Sequence, residues 1–220
     1  MNNIWTSNMP DLTFNIVGDP RIGRRSLANN FSEKELQTFF SDPNRDLYTS
    51  ITKQVGFEQV NFKIVLESTA YINTSSKKYI ERKANVYILA YDCTEYISFR
   101  NLESWMEVVN KNKSSNTFVL VGTHADKEGK AVDTQEAKQF AESLKIPFYE
   151  INTRDTKDVE EVFFNSALAI IEQQTLEKGV KPIKFNVNNK MAKDEKLALS
   201  DLLLEQQFPP PHRLHSSRAL

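Results

Sequence analysis

Leu12-Thr-Phe-Asn-Ile-Val-Gly-Asp-Pro-Arg-Ile-Gly-Arg-Arg-Ser-Leu27 decides how the rest of the chain is read. The apolar run Leu12 to Val17 predicts a buried strand. It leads into Gly18, four intervening residues, Gly23, and then basic residues and a hydroxyl that open a helix. This is the layout of a phosphate-binding loop, in which backbone N–H groups and a helix N-terminus face an oligophosphate. The motif asks for Lys and then Ser or Thr after the second Gly. Here Arg24 and Arg25 come first, and Ser26 stands one place late.

Outward from this loop, apolar strands alternate with amphipathic helices. Ser26, Leu27, Ala28 and Phe31 suit a short helix. Tyr48 to Val55 and Val60 to Leu66 flank Gly56 as a hairpin. Val86 to Tyr91 is a second buried strand ending at Asp92, and Ser98 is placed to cap a helix carrying Leu102, Trp105, Met106 and Val109. Thr117 to Val121 is a strand that runs into Gly122-Thr-His-Ala-Asp126. Asp133 and Glu136 form a capping-box pattern before a helix with Ala137, Phe140, Ala141 and Leu144. Ile146 to Ile151 is the last strand. From Asp158 a final helix carries Val159, Val162, Phe163, Ser166, Ala167, Ile170 and Ile171 on one stripe.

The pattern predicts an α/β fold: a mainly parallel six-stranded sheet with helices on both faces. In such sheets ligands sit at the carboxyl ends of the strands. The phosphate loop, Asp92, Thr123 to Asp126 and Asn152 to Arg154 all follow strands, so they are expected on one edge. Residues 1–10 form a lead, 11–178 the domain, and 179–220 a tail. That tail holds a short leucine-rich helix (Leu197, Leu199, Leu202 to Leu204) and a stiff Pro209-Pro-Pro211 segment.

At 220 residues and a formal net charge of −1, the chain has no bulk electrostatic attraction for nucleic acid or membranes. Its only cysteine is Cys93, which excludes an internal disulfide and a cysteine zinc cluster and fits a reducing, cytoplasmic setting. Cys93 reads as a small buried residue, and Trp105 and Met106 as core. Lys77, Lys78 and Glu81 to Lys83 read as a solvated surface. With no cysteine in the tail, prenylation there is not expected, so a membrane would be reached only through a partner.

From about Leu12 to Ile171 the chain resembles a Ras-superfamily small GTPase, the Rab branch in particular. Ile88-Leu-Ala-Tyr-Asp-Cys-Thr-Glu95 with Ser98-Phe-Arg-Asn-Leu-Glu-Ser-Trp105 carries the Rab-like pattern most specifically. Thr134 to Ala141, Ile146 to Glu150 and Val159 to Phe163 match as well. The resemblance implies a Ras-like fold that binds GTP or GDP with magnesium and presents a switch face to effector or regulatory proteins.

The nucleotide motifs depart from the family in defined ways. In the phosphate loop Gly18, Asp19, Ile22 and Gly23 stand at family positions. Arg24 carries the charge of the family's Lys on a wider, planar group. Arg25 replaces the magnesium-binding hydroxyl and cannot ligate a cation, so magnesium either relies on Ser26 through a one-residue register shift or is weakly held. In switch I, Ser41, Thr49, Ser50 and Thr52 are candidates and none is assigned. In switch II, Glu67 replaces Asp, Ala70 replaces Gly, and Tyr71 replaces the Gln that orients attacking water, so hydrolysis is expected to be slow or absent. No catalytic residue is assigned.

Thr123-His-Ala-Asp126 retains the Asp whose carboxylate accepts the guanine N1–H and amino group. His124, in place of Lys, offers an imidazole to stack on the base. Asn152-Thr-Arg154 retains a backbone N–H at Thr153 for the guanine carbonyl and a long-stemmed cation at Arg154. The expectation is a Rab-like guanine-nucleotide switch of the vesicle-traffic type with impaired hydrolysis. The alternative is a nucleotide-free interaction module, including a form in which Arg24 or Arg25 fills the phosphate site internally.

Overall fold

Val86-Tyr-Ile-Leu-Ala-Tyr-Asp92 is buried at every position, as a strand covered on both faces requires. The computed structural model describes residues 9–38, 47–56, 58–66, 84–110 and 117–177. The strands are β1 (Asp11–Val17), β2 (Gln37–Thr38), β3 (Leu47–Val55), β4 (Glu58–Leu66), β5 (Val86–Asp92), β6 (Thr117–Thr123) and β7 (Phe148–Glu150). The helices are α1 (Arg24–Ser32), α2 (Tyr96–Arg100), α3 (Leu102–Asn110), α4 (Thr134–Leu144) and α5 (Thr156–Glu177).

One sheet joins the strands in the order β2-β3-β4-β1-β5-β6-β7. The expected six strands are all present, and the two-residue β2 adds a seventh at the edge. The pairs β1–β4, β1–β5, β5–β6 and β6–β7 are parallel, while β2–β3 and the β3–β4 hairpin are antiparallel.

Alternation along β5 feeds two cores. Val86, Ile88 and Ala90 pack with Phe14 of β1, Phe31 of α1 and Phe163 of α5 on one face. Tyr87, Leu89 and Tyr91 pack with α2, α3 and α4 on the other, around Leu102, Trp105 and Ala137. On the first face Phe31 stacks on Phe163 with ring centroids 4.0 Å apart. Truncating either ring to Ala would cost about 3–5 kcal/mol. Helices therefore cover both faces, and the parallel strands release their loops at one edge.

Helix starts differ from the sequence expectation in three places. Ser98 does not cap a helix: it lies inside α2, whose N-cap is Glu95, and its Oγ accepts from the Asp92 amide at 2.9 Å. Asp133 caps α4 by accepting from the Gln135 amide at 2.6 Å, but Glu136 accepts from the Tyr96 hydroxyl instead of returning to the cap, so only half of the capping box forms. Helix α5 begins at Thr156, with Asp155 Oδ1 accepting from the Lys157 amide at 2.8 Å. Lys77, Lys78, Glu81 to Lys83 and the tail with its leucine-rich and proline-rich segments lie outside the described residues. Among the described residues no helix is long and apolar enough to cross a membrane.

Candidate functional site

Where β1 ends, the chain must turn back across β5, and Gly18 makes that turn. A Cβ there would stand 2.3 Å from the Ala90 carbonyl oxygen and 2.7 Å from Ile22 Cδ1, and φ is +144°. Ile22 is fully buried beneath the loop. Gly23 adopts φ 88°, the left-handed region open to glycine, and forms the N-cap of α1. Its carbonyl accepts from the Leu27 amide at 3.0 Å. Arg21 sits at φ 69°, left-handed without being glycine, and is exposed.

The start of α1 settles the register of the basic residues. Because Gly23 remains the N-cap and Arg24 is the first helical residue, no one-residue shift occurs. Arg25 keeps the place after Arg24, and Ser26 lies about 100° further round the helix. Both are exposed. The first turn of α1 carries no acidic residue and Gly23 makes no side-chain cap. The Gly23, Arg25 and Ser26 amides have no acceptor among the described residues, which leaves donors for an anion at the positive end of the helix. An oligophosphate fits these donors. Magnesium does not fit this first turn, because it needs oxygen ligands and Arg25 occupies the place of the family's hydroxyl.

Two further side chains fix the loop. Asp19 does not point freely into the loop: its carboxylate accepts from Asn101 Nδ2 at 2.7 Å and from Trp105 Nε1 at 2.9 Å. Trp105 is core, as expected, yet its indole N–H also ties the loop to α3. The Arg24 guanidinium reaches back, with Nη1 3.4 Å from the Ile16 carbonyl oxygen and the charge 6.0 Å from the Trp105 ring centroid.

The loops after β6 and β7 meet the phosphate loop from the same edge. Thr123 is buried at the end of β6, and its Oγ1 donates to the Ile22 carbonyl at 2.6 Å. Gly122 precedes it because Tyr91 Oη and Cys93 Sγ would stand 2.6 and 2.8 Å from a Cβ there. His124 adopts φ 57°, and its Nδ1 lies 2.7 Å from Asp92 Oδ2. The imidazole offered for stacking is thus hydrogen-bonded to the end of β5. Asp126 is exposed, with no side-chain partner among the described residues.

Burial raises the cost of charge on Asp92. Hydrogen bonds from the Thr94 hydroxyl (2.7 Å), the Thr94 amide (2.8 Å) and His124 outweigh it and hold the carboxyl below its ordinary range. Thr153 is buried, and its carbonyl accepts from Asn30 Nδ2 of α1 at 3.1 Å. Asn152 Oδ1 accepts from the Arg154 amide at 2.9 Å, and the Arg154 side chain is exposed.

Gly18 to Ser26, Thr123 to Asp126 and Asn152 to Arg154 therefore lie together on one edge, as the strand pattern implies. Thr49, Ser50 and Thr52 stand within β3, with Thr49 buried. Ser41, Glu67, Ala70 and Tyr71 lie outside the described residues. Burial pushes the Cys93 thiol up to about 12, so it is no nucleophile. Sequence reasoning missed Asn30 and Asn101 because an Asn within a helix or at its cap carries no local sign of the partner it meets. It missed the Asp92–His124 pair although both residues follow strands at the same edge.

Comparison with known proteins agrees with this geometry. The Ras family model matches residues 14–172. The Ras-related protein Rab-1D of Dictyostelium discoideum is 30% identical over 182 residues, covering 80% of this chain and 87% of the relative. The Ras-related protein RABD2a of Arabidopsis thaliana is 29% identical over 164 residues, covering 72% and 79%. The Ras-related protein RabQ of Dictyostelium discoideum is 29% identical over 170 residues, covering 73% and 81%. With the loop after β1, the sheet order and these matches in agreement, the chain belongs to the Ras superfamily of small GTPases, as a Rab-like member with degenerate nucleotide motifs.

Proposed function

We propose that the chain acts as a guanine-nucleotide-dependent regulatory switch of the vesicle-traffic type, with intrinsic hydrolysis slow or absent. The observation that carries this reading is the 2.6 Å bond from Thr123 to Ile22, which holds the base loop and the phosphate loop as one unit while the Asp126 carboxylate stays exposed. In that unit the amides at the start of α1 face the phosphates. Asp126 accepts the guanine N1–H and amino group, each bond contributing about 1.5–3 kcal/mol. Adenine offers no such donor pair. The Thr153 amide meets the base carbonyl, and the Arg154 stem covers its face.

Impaired hydrolysis rests on Tyr71, since a phenol cannot offer the same paired donor and acceptor geometry with which Gln orients water. Effector or regulatory proteins would read the switch face, and nucleic acid would not bind. Calorimetric titration with GDP, GTP and ATP tests the reading. Guanine-selective binding that Asp126→Ala weakens about tenfold or more supports it. A flat titration in which Asp126→Ala equals the parent would end it.

A second reading, a nucleotide-free interaction module, is favoured by Arg24, whose guanidinium approaches the Ile16 carbonyl and the Trp105 ring. In its internal-ligand form, Arg24 or Arg25 takes the phosphate place. Guanine nucleotide released on denaturing the purified protein and seen by mass spectrometry would reject this reading.

A further inference from the structure

We propose that the chain holds its guanosine oligophosphate without a divalent cation, and that the Arg25 guanidinium supplies positive charge in the metal's stead. The proposal rests on the nucleotide-binding reading above and concerns the same site. It starts from the disagreement between the first turn of α1 and magnesium.

Magnesium demands oxygen ligands in near-octahedral array at about 2.0–2.1 Å. Arg offers donors only, and its fixed charge repels a second cation. The left-handed N-cap at Gly23 fixes the register, so Arg25, and not a hydroxyl, follows Arg24 into the helix. Ser26 lies about 1.5 Å further along the axis and about 100° round it, away from that position. No group of three or more His, Cys, Asp or Glu side chains that could hold a metal occurs among the described residues.

The charges at this helix end also point to an anion. Arg24 and Arg25 occupy the first turn, Arg21 stands three residues before it, and the turn contains no acidic residue. Cations at the positive end of a helix are unfavourable unless an anion lies between them and the amides. Asp19, the nearest carboxylate in the loop sequence, is already held by Asn101 and Trp105. Arg24 approaches Ile16 and Trp105. Arg25 is exposed and has no side-chain partner among the described residues. A guanidinium fork meets phosphate oxygens with two parallel N–H bonds and remains charged at all working pH values.

The test is calorimetric titration of GDP and GTP into the nucleotide-stripped full chain, once in excess magnesium and once in excess EDTA. The expected result is the same affinity in both. Arg25→Ala should weaken binding about 10- to 100-fold in both buffers, and Arg25→Lys should recover part of the loss. Arg25→Ser, which restores the family's hydroxyl, should make binding tighter in magnesium than in EDTA. Circular dichroism melts of the variants confirm folding, and because Arg25 is exposed at the positive end of α1, none of the three should melt below the parent. Binding by the parent that disappears in EDTA overturns the proposal and leaves the nucleotide reading standing. Equal binding by parent and Arg25→Ala also overturns it. No binding in either buffer overturns both.

Discussion

Thr123 Oγ1 and the Ile22 carbonyl oxygen, 101 residues apart in the chain, lie 2.6 Å apart in the fold. Both residues are fully buried, so the bond forms where water cannot replace it. It fixes the height of the phosphate loop relative to β6, from which the loop Thr123 to Asp126 leaves.

Thr123→Val removes the hydroxyl at nearly constant volume and leaves the Ile22 carbonyl without this donor. The expected cost is about 1–3 kcal/mol of stability, read as a lower urea midpoint. Thr123→Ser keeps the donor and should recover most of that loss. Equal midpoints for parent and Thr123→Val would show that the tie contributes nothing.

The two loop glycines should respond differently to the same change. Gly18→Ala places a methyl 2.3 Å from a backbone oxygen, which cannot yield as a side-chain end can. At Gly23 the nearest atoms to an added Cβ are 3.5 Å away, ordinary contact, so only the left-handed backbone at φ 88° is penalised. Gly23→Ala is therefore expected to cost about 1–2 kcal/mol, and Gly18→Ala more. Thermal midpoints of the two variants give the order directly, and the reverse order would contradict the account.

Asp92 links stability to pH. Its folded pKa is depressed, so its contribution is fully present above the unfolded value, near 3.8, and is lost as pH falls through the folded value. Asp92→Asn keeps an acceptor for Thr94 but removes the charge facing His124. At neutral pH the variant should be less stable by about 1–2 kcal/mol, and the gap to the parent should close as pH falls through the depressed folded value. Urea midpoints across the acid range measure this. A gap independent of pH would assign the effect to packing.

Much of the fold follows from local pattern. The strand Leu12 to Val17, the Gly18 and Gly23 spacing and the apolar run Val86 to Tyr91 of β5 each encode their state within a few residues. Because parallel strands release their loops at one edge, the convergence of Thr123, Asp126 and Thr153 on the phosphate loop also follows. Helix starts were less legible, since Glu95, Asp133 and Asp155 compete with neighbouring polar residues as caps, and only the packed helix axis selects among them.

The opening stretch marks the limit most sharply. Its letters give the layout of a phosphate loop and place Arg25 where that layout asks for a hydroxyl, because these depend on residue type and spacing alone, while the family was legible chiefly in Ile88 to Trp105. Folding decided that Gly23 caps α1 and so excludes the Ser26 register, that Asp19 turns to Trp105, and that His124 bonds to Asp92. The last two partners are 86 and 32 residues away, and no local periodicity records a side-chain hydrogen bond closed by sheet order and helix packing.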